Sequence, residues 1–129
     1  MIGADLSQID LHGLHFDDSR FESCKLQGAI LFDCTFSDTV VVGCDLGGAD
    51  MVKMEIYQTD LRGGRFDGAR LIKTTIINSD LRGASFVGAD LTSVVISGCQ
   101  IDGANFEGAT FTYALLEDNV GEAIGLPLE

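Results

Sequence analysis

The sequence predicts an all-β solenoid, wound as a square tube that turns a corner every five residues. Three observations point there: an apolar residue at every fifth position, a small residue two places before it, and a glycine-rich position two places after it. Internal periodicity sets the architecture, so it takes precedence over any local reading of helices and strands.

The apolar column opens with Leu6, Leu11, Phe16, Phe21, Leu26, Leu31, Phe36, Val41, Leu46, Met51, Ile56 and Leu61. It continues through Phe66, Leu71, Ile76, Leu81, Phe86, Leu91, Ile96, Ile101, Phe106, Phe111 and Leu116. All 23 positions are apolar, and no insertion breaks the count from residue 4 to residue 118. A straight strand sends residues five apart to opposite faces. In an α-helix five residues advance about 500°, and the stripe spirals around the rod. The column points inward throughout only if the chain bends in every repeat. Four bends close a square, so one coil takes 20 residues and 23 repeats make nearly six coils. At about 4.8 Å per coil the rod is about 27 Å long.

The second inward column holds Ala, Gly, Ser, Thr or Cys at 19 of 23 positions, Ile9, Leu14, Met54 and Val94 being the exceptions. Two large side chains per repeat would overfill a narrow square. The column after the centre holds glycine in 11 repeats, among them Gly13, Gly28, Gly43, Gly68, Gly83 and Gly108. That fits a type II turn, whose third residue needs positive φ; Asp18, Asp33, Asp38, Asn78 and Asp118 in the same column tolerate it. The flanking, outward columns carry most of the charge, as at Asp5, Asp45, Asp60, Arg62, Asp80, Arg82 and Asp90.

Ala4-Asp5-Leu6, Ala49-Asp50-Met51, Ala89-Asp90-Leu91, Gly83-Ala84, Gly103-Ala104 and Asn105-Phe106 resemble the A(D/N)LXX consensus of pentapeptide-repeat proteins. The resemblance covers residues 4–118. It implies that family's fold, a right-handed quadrilateral β-helix, and the handedness comes from the resemblance alone.

A solenoid needs its ends covered. Residues 4–118 are read as the β-helix and 119–129 as a C-terminal cap and tail. Asn119 with Glu122 suggests a capping box, Gly125 and Pro127 a stop, so a short helical turn over 119–127 is expected to lay Val120, Ile124 and Leu126 over the last coil. Leu128-Glu129 has the look of a cloning remnant. Met1 to Gly3 offer little cover at the other end, so that end is expected either to meet another molecule or to continue into a longer chain. Members of the resembled family often dimerise end to end, so an end-to-end homodimer is among the expected partners, as is a face-to-face one through the outward apolar patch.

Composition narrows the function. The chain has 129 residues, 46% of them hydrophobic, enough for one domain with a sizeable core. Twenty acids against eight bases give a net charge of −12, which argues against direct binding of nucleic acid or of an anionic membrane. No membrane span or signal peptide is read, and the expected location is cytoplasmic.

No catalytic, cofactor or metal site can be assembled. Cys24, Cys34, Cys44 and Cys99 all fall in the small inward column, read as buried, reduced and alanine-like. His12 and His15 fall in outward columns, away from them. The chain is therefore read as no enzyme, but as a protein–protein interaction module or scaffold. The candidate patch is Ile30, Phe32, Val52 and Ile72, outward residues of consecutive coils on one side of the square. Val40 with Val42, and Tyr57 with Ile77, form smaller pairs on other sides.

The alternative is DNA mimicry. The resemblance extends to family members that protect type II topoisomerases from quinolones by imitating duplex DNA, and the net charge fits a basic groove. Charge distribution opposes it. Residues 1–52 and 83–129 are each net −7, but residues 53–82 carry four acids and six bases. That basic waist interrupts the negative field.

Overall fold

A computed structural model describes residues 1–127; Leu128-Glu129, the expected cloning remnant, lies outside the described residues. The chain coils as a tube with a strict 20-residue step. One side is a parallel sheet of six three-residue strands: β1 (His15–Asp17), β2 (Thr35–Ser37), β3 (Glu55–Tyr57), β4 (Thr75–Ile77), β5 (Val95–Ser97) and β6 (Leu115–Glu117). They pair in chain order, His15 opposite Thr35 and Phe16 opposite Phe36, and so on to Leu116.

The other three sides are ladders of single-residue parallel pairings at the same step. One runs Asp5–Lys25–Asp45–Arg65–Ser85–Asn105, the next Asp10–Ile30–Asp50–Arg70–Asp90–Thr110, the third Arg20–Val40–Asp60–Asp80–Gln100–Val120. Backbone bonds between coils hold each rung, as from Leu26 N to Asp45 O at 2.7 Å and from Leu46 N to Arg65 O at 2.7 Å.

Positive φ recurs at every fifth residue from Gly3 to Asp118. Half of these positions are glycine; Lys53, Lys73, Gln58 and Tyr113 also adopt it, with φ between 49° and 62°. The turn is imposed by the coil, and glycine only lowers its cost.

Leu26, Leu31, Phe36, Leu46, Leu61, Phe66, Leu71, Leu81, Phe86, Leu91 and Phe106 are buried inside the tube. Leu6, Leu11, Phe16 and Phe21 at one end, and Phe111 and Leu116 at the other, are only partly buried. Because coils stack in register, like residues meet: Phe66, Phe86 and Phe106 form a column of parallel rings with centroids 4.8 Å apart.

The expected helical turn over 119–127 is not formed. Val120 pairs with Gln100 and Ile124 with Asn105, so the chain stays on the coil path and drops one residue on the way. Three features hold it there. The Asn119 carboxamide accepts from Cys99 N and donates to Ile96 O, both at 2.9 Å, so it is no helix N-cap. Gly121 and Gly125 lie so close to the previous coil that a Cβ would come within 2.7 Å of Asp102 N and 2.5 Å of Glu107 N. So short a segment, with two glycines, also nucleates a helix poorly. Val120 and Ile124 consequently remain 70% and 53% exposed, while Ala123 and Leu126 pack on the core. A cavity of about 600 Å³ opens at this end among Ile101, Phe106, Phe111, Leu116 and Leu126. Among the described residues, no helix is long and apolar enough to cross a membrane.

Candidate interaction surface

Register converts the outward columns into stripes. Asp33 N donates to Val52 O, and Lys53 N to Ile72 O, both at 2.9 Å, which places Phe32, Val52 and Ile72 on successive rungs of one side. Phe32 and Ile30 are each 38% exposed, and Val52 and Ile72 are partly buried. Ile30 stands in the neighbouring ladder, between Asp10 and Asp50. The stripe has polar ends. One rung before it His12 Nδ1 lies 2.7 Å from Asp10 Oδ1, and one rung after it Thr92 Oγ1 donates to Asp90 Oδ1 at 2.6 Å. Tyr57 sits beside Ile77 on the sheet side, and both are partly buried, as are Val40 and Val42.

The arginines of the basic waist are each held by a carboxylate. Arg62 grips Asp60 with two bonds of 2.8 and 2.6 Å, and Arg82 grips Asp80 at 2.9 and 2.6 Å. Arg65 spans Asp67 at 3.0 Å and Asp45 at 3.2 Å; Arg70 lies 3.8 Å from Asp50. The guanidinium of Arg62 holds the Asp60 carboxyl below its ordinary value, and that of Arg82 does the same for Asp80. The waist is thus a set of neutralised pairs. Its unpaired cations, among the described residues, are Lys53 and Lys73, and both stand beside the Phe32 stripe. Lys53 Nζ is 5.8 Å from the centroid of the Phe32 ring.

The four cysteines are buried and free, and they are more than alanine-like. Cys44 Sγ accepts from Cys24 N at 3.4 Å and donates to Phe21 O at 3.3 Å. Cys34 Sγ donates to Leu11 O at 2.9 Å, and Cys99 Sγ to Ile76 O at 3.5 Å. Their thiols take the place that threonine and serine hydroxyls hold elsewhere in the column. His12 and His15 are exposed. Among the described residues, no three or more His, Cys, Asp or Glu side chains converge as metal ligands.

Four repeats per coil place the stripe on one side of the square, but the sequence reading did not single out the two lysines beside it. The same step of twenty sets Lys53 and Lys73 one coil apart in a single column, but it does not tell which bases lack a carboxylate.

A family model described as pentapeptide repeats matches in eight copies, over residues 1–38, 29–68, 56–88, 69–108 and 89–118. Among solved structures, a trypsin-treated form of QnrB1, a plasmid-mediated fluoroquinolone resistance protein, is 25% identical with a TM-score of 0.65. That match covers 88% of this chain and 60% of the other, so the chain spans three-fifths of that protein's length. Rfr23, a pentapeptide repeat protein from the cyanobacterium Cyanothece 51142, superposes with a TM-score of 0.70 at 17% identity, over 92% and 91% of the two chains. A pentapeptide repeat protein of the Arabidopsis thaliana thylakoid lumen does so with a TM-score of 0.60 at 22% identity, over 82% and 70%. No curated protein matches the chain.

Proposed function

The chain belongs to the pentapeptide-repeat family, and on that premise we propose that it is a non-catalytic interaction module that binds a protein partner through the Phe32 side of its tube. The observation that carries this reading is the stripe of Phe32, Val52 and Ile72 on three consecutive rungs, closed at both ends by aspartate-tethered polar residues. A continuous apolar strip on a flat, rigid wall supports reading that side as a contact surface. The core is filled by side chains with no chemistry to offer, so function belongs to the walls. Four buried thiols without a disulfide support a reducing compartment.

The test is capture by cross-linking in the source cell, comparing wild type with Phe32→Glu and with Tyr57→Glu on another side. A partner retained by wild type and Tyr57→Glu but lost with Phe32→Glu supports the Phe32 side. Equal capture by all three removes it.

A second reading, binding of a type II topoisomerase in the manner of a DNA mimic, is favoured by the similarity to QnrB1 over most of this chain. The basic waist still opposes this reading, because pairing its arginines with Asp60, Asp67 and Asp80 leaves the sum of four acids and six bases unchanged. Its test is a DNA gyrase supercoiling assay across a protein titration, with and without a fluoroquinolone. Inhibition or drug protection at low micromolar protein supports it; no effect from folded protein leaves the interaction module alone.

A further inference from the structure

We propose that the partner segment taken by the Phe32 side is acidic: its carboxylates pair with Lys53 and Lys73 while its apolar side chains cover Phe32, Val52 and Ile72. The inference rests on the preceding reading of that side as the binding face, and it adds the chemistry of the occupant.

The eight bases of the chain divide sharply. All five arginines lie within 4 Å of a carboxylate, Arg20 on Glu22 and the rest within the waist. None of the three lysines has such a partner among the described residues, and two of the three stand on consecutive rungs of the one side that carries the apolar stripe. Across residues 30–33, 50–53 and 70–73 that side has three bases and two acids, and one of the acids, Asp50, faces Arg70. The whole chain is net −12. Lys53 is exposed, and its ammonium lies 5.8 Å from the Phe32 centroid, beside the apolar stripe.

Charge then acts as an address. An acidic segment is disfavoured by the acid-rich walls and drawn to the rungs where two cations have no carboxylate within 4 Å among the described residues, even with Asp33 one rung from Lys53. A basic segment would be drawn to every other wall first. The rungs stand about 4.8 Å apart, within reach of two flexible lysines acting on neighbouring carboxylates of one extended segment.

The experiment titrates isotope-labelled protein with an octapeptide alternating Glu and Leu, and with analogues carrying Gln or Lys at each Glu, followed by amide chemical shifts. The expected result is movement of the Phe32, Val52, Lys53, Ile72 and Lys73 amides with the Glu peptide only. Binding should weaken at least tenfold in the Lys53→Glu/Lys73→Glu variant, whose fold is checked by circular dichroism. Equal binding of the Gln peptide at the same amides overturns the charge inference and leaves the Phe32 face standing. Absence of any shift with the Glu peptide at millimolar concentration overturns the inference as well, and the Phe32→Glu capture then judges the face independently. Shifts at these amides on concentrating the protein alone assign the side to a second copy. Tighter binding to phosphatidylserine vesicles than to the peptide assigns it to a lipid surface. Either outcome rejects the acidic protein segment.

Discussion

Thr74 Oγ1 accepts the backbone amide of Met54 at 3.3 Å, although 20 residues separate the two in sequence. The same hydroxyl donates to the Met51 carbonyl, so one side chain stands inside the turn of the preceding coil and satisfies both groups. Other turns close on themselves, as where Ala69 N donates to Phe66 O at 3.0 Å. Thr74 is fully buried, so water cannot replace it. Thr74→Val keeps the shape and removes both bonds. It should cost about 1–3 kcal/mol, read as a lower denaturant midpoint with unchanged slope. A variant as stable as wild type would mean that the Met51–Met54 turn closes without help.

The same relationship marks the limit of what the sequence disclosed. A period of five fixed the inward and outward columns, because every repeat makes the same turn and the tube tolerates no slip. Period five treats the four sides as equal, and they are not. After each strand of the sheet comes a corner whose small-column residue is Ser19, Thr39, Thr59, Ser79, Cys99 or Asn119, all polar or sulfur-bearing. Thr39 donates to Phe16 O at 2.9 Å, Thr59 N donates to Ser79 Oγ at 3.1 Å, and Asn119 serves Cys99 and Ile96. Read by fives, Asn119 looked like a helix cap; read by twenties, it is the sixth member of this column. The Phe32 stripe was legible because outward apolar residues stand out anywhere. Which cations remain unpaired was not, since that depends on whether each arginine reaches an aspartate two residues away or one rung away.

Ring stacking gives a second expectation. Phe86 lies between Phe66 and Phe106 with interplanar angles of 9° and 5°, and all three rings are buried. The 4.8 Å centroid spacing equals the distance between paired strands, so the rungs set the stack. Phe86→Ala removes the middle ring and leaves a cavity that the rigid backbone cannot close. The loss should be about 3–5 kcal/mol, measured by chemical denaturation. Phe86→Leu should cost clearly less.

Backbone geometry gives a third. Tyr113 adopts φ of 59° and is 86% exposed, so its side chain contributes little packing while its backbone occupies the left-handed region. Tyr113→Gly should therefore stabilise the chain by about 0.5–1 kcal/mol, the backbone strain relieved exceeding the added entropy of the unfolded chain. A lower thermal midpoint would show that the exposed ring packs on something that offsets its strain.

Thiol chemistry gives the fourth. Burial pushes Cys44 up from 9.0 to about 11, and burial likewise raises Cys34 and Cys99. Thiolate is the reactive form, so the folded protein should react slowly with a disulfide reagent at pH 8, and all four cysteines should react at once in denaturant. Rapid labelling of the folded protein would contradict their placement inside the tube. The sign of the pH dependence follows from the direction of the shift. A thiol whose pKa is raised by folding favours the folded state fully below its unfolded value. That contribution is lost as pH rises through the folded value, here between about 9 and about 11 for Cys44. The denaturation midpoint should fall over that window, and Cys44→Ser should flatten the fall, because a hydroxyl keeps the bonds to Cys24 N and Phe21 O without titrating there.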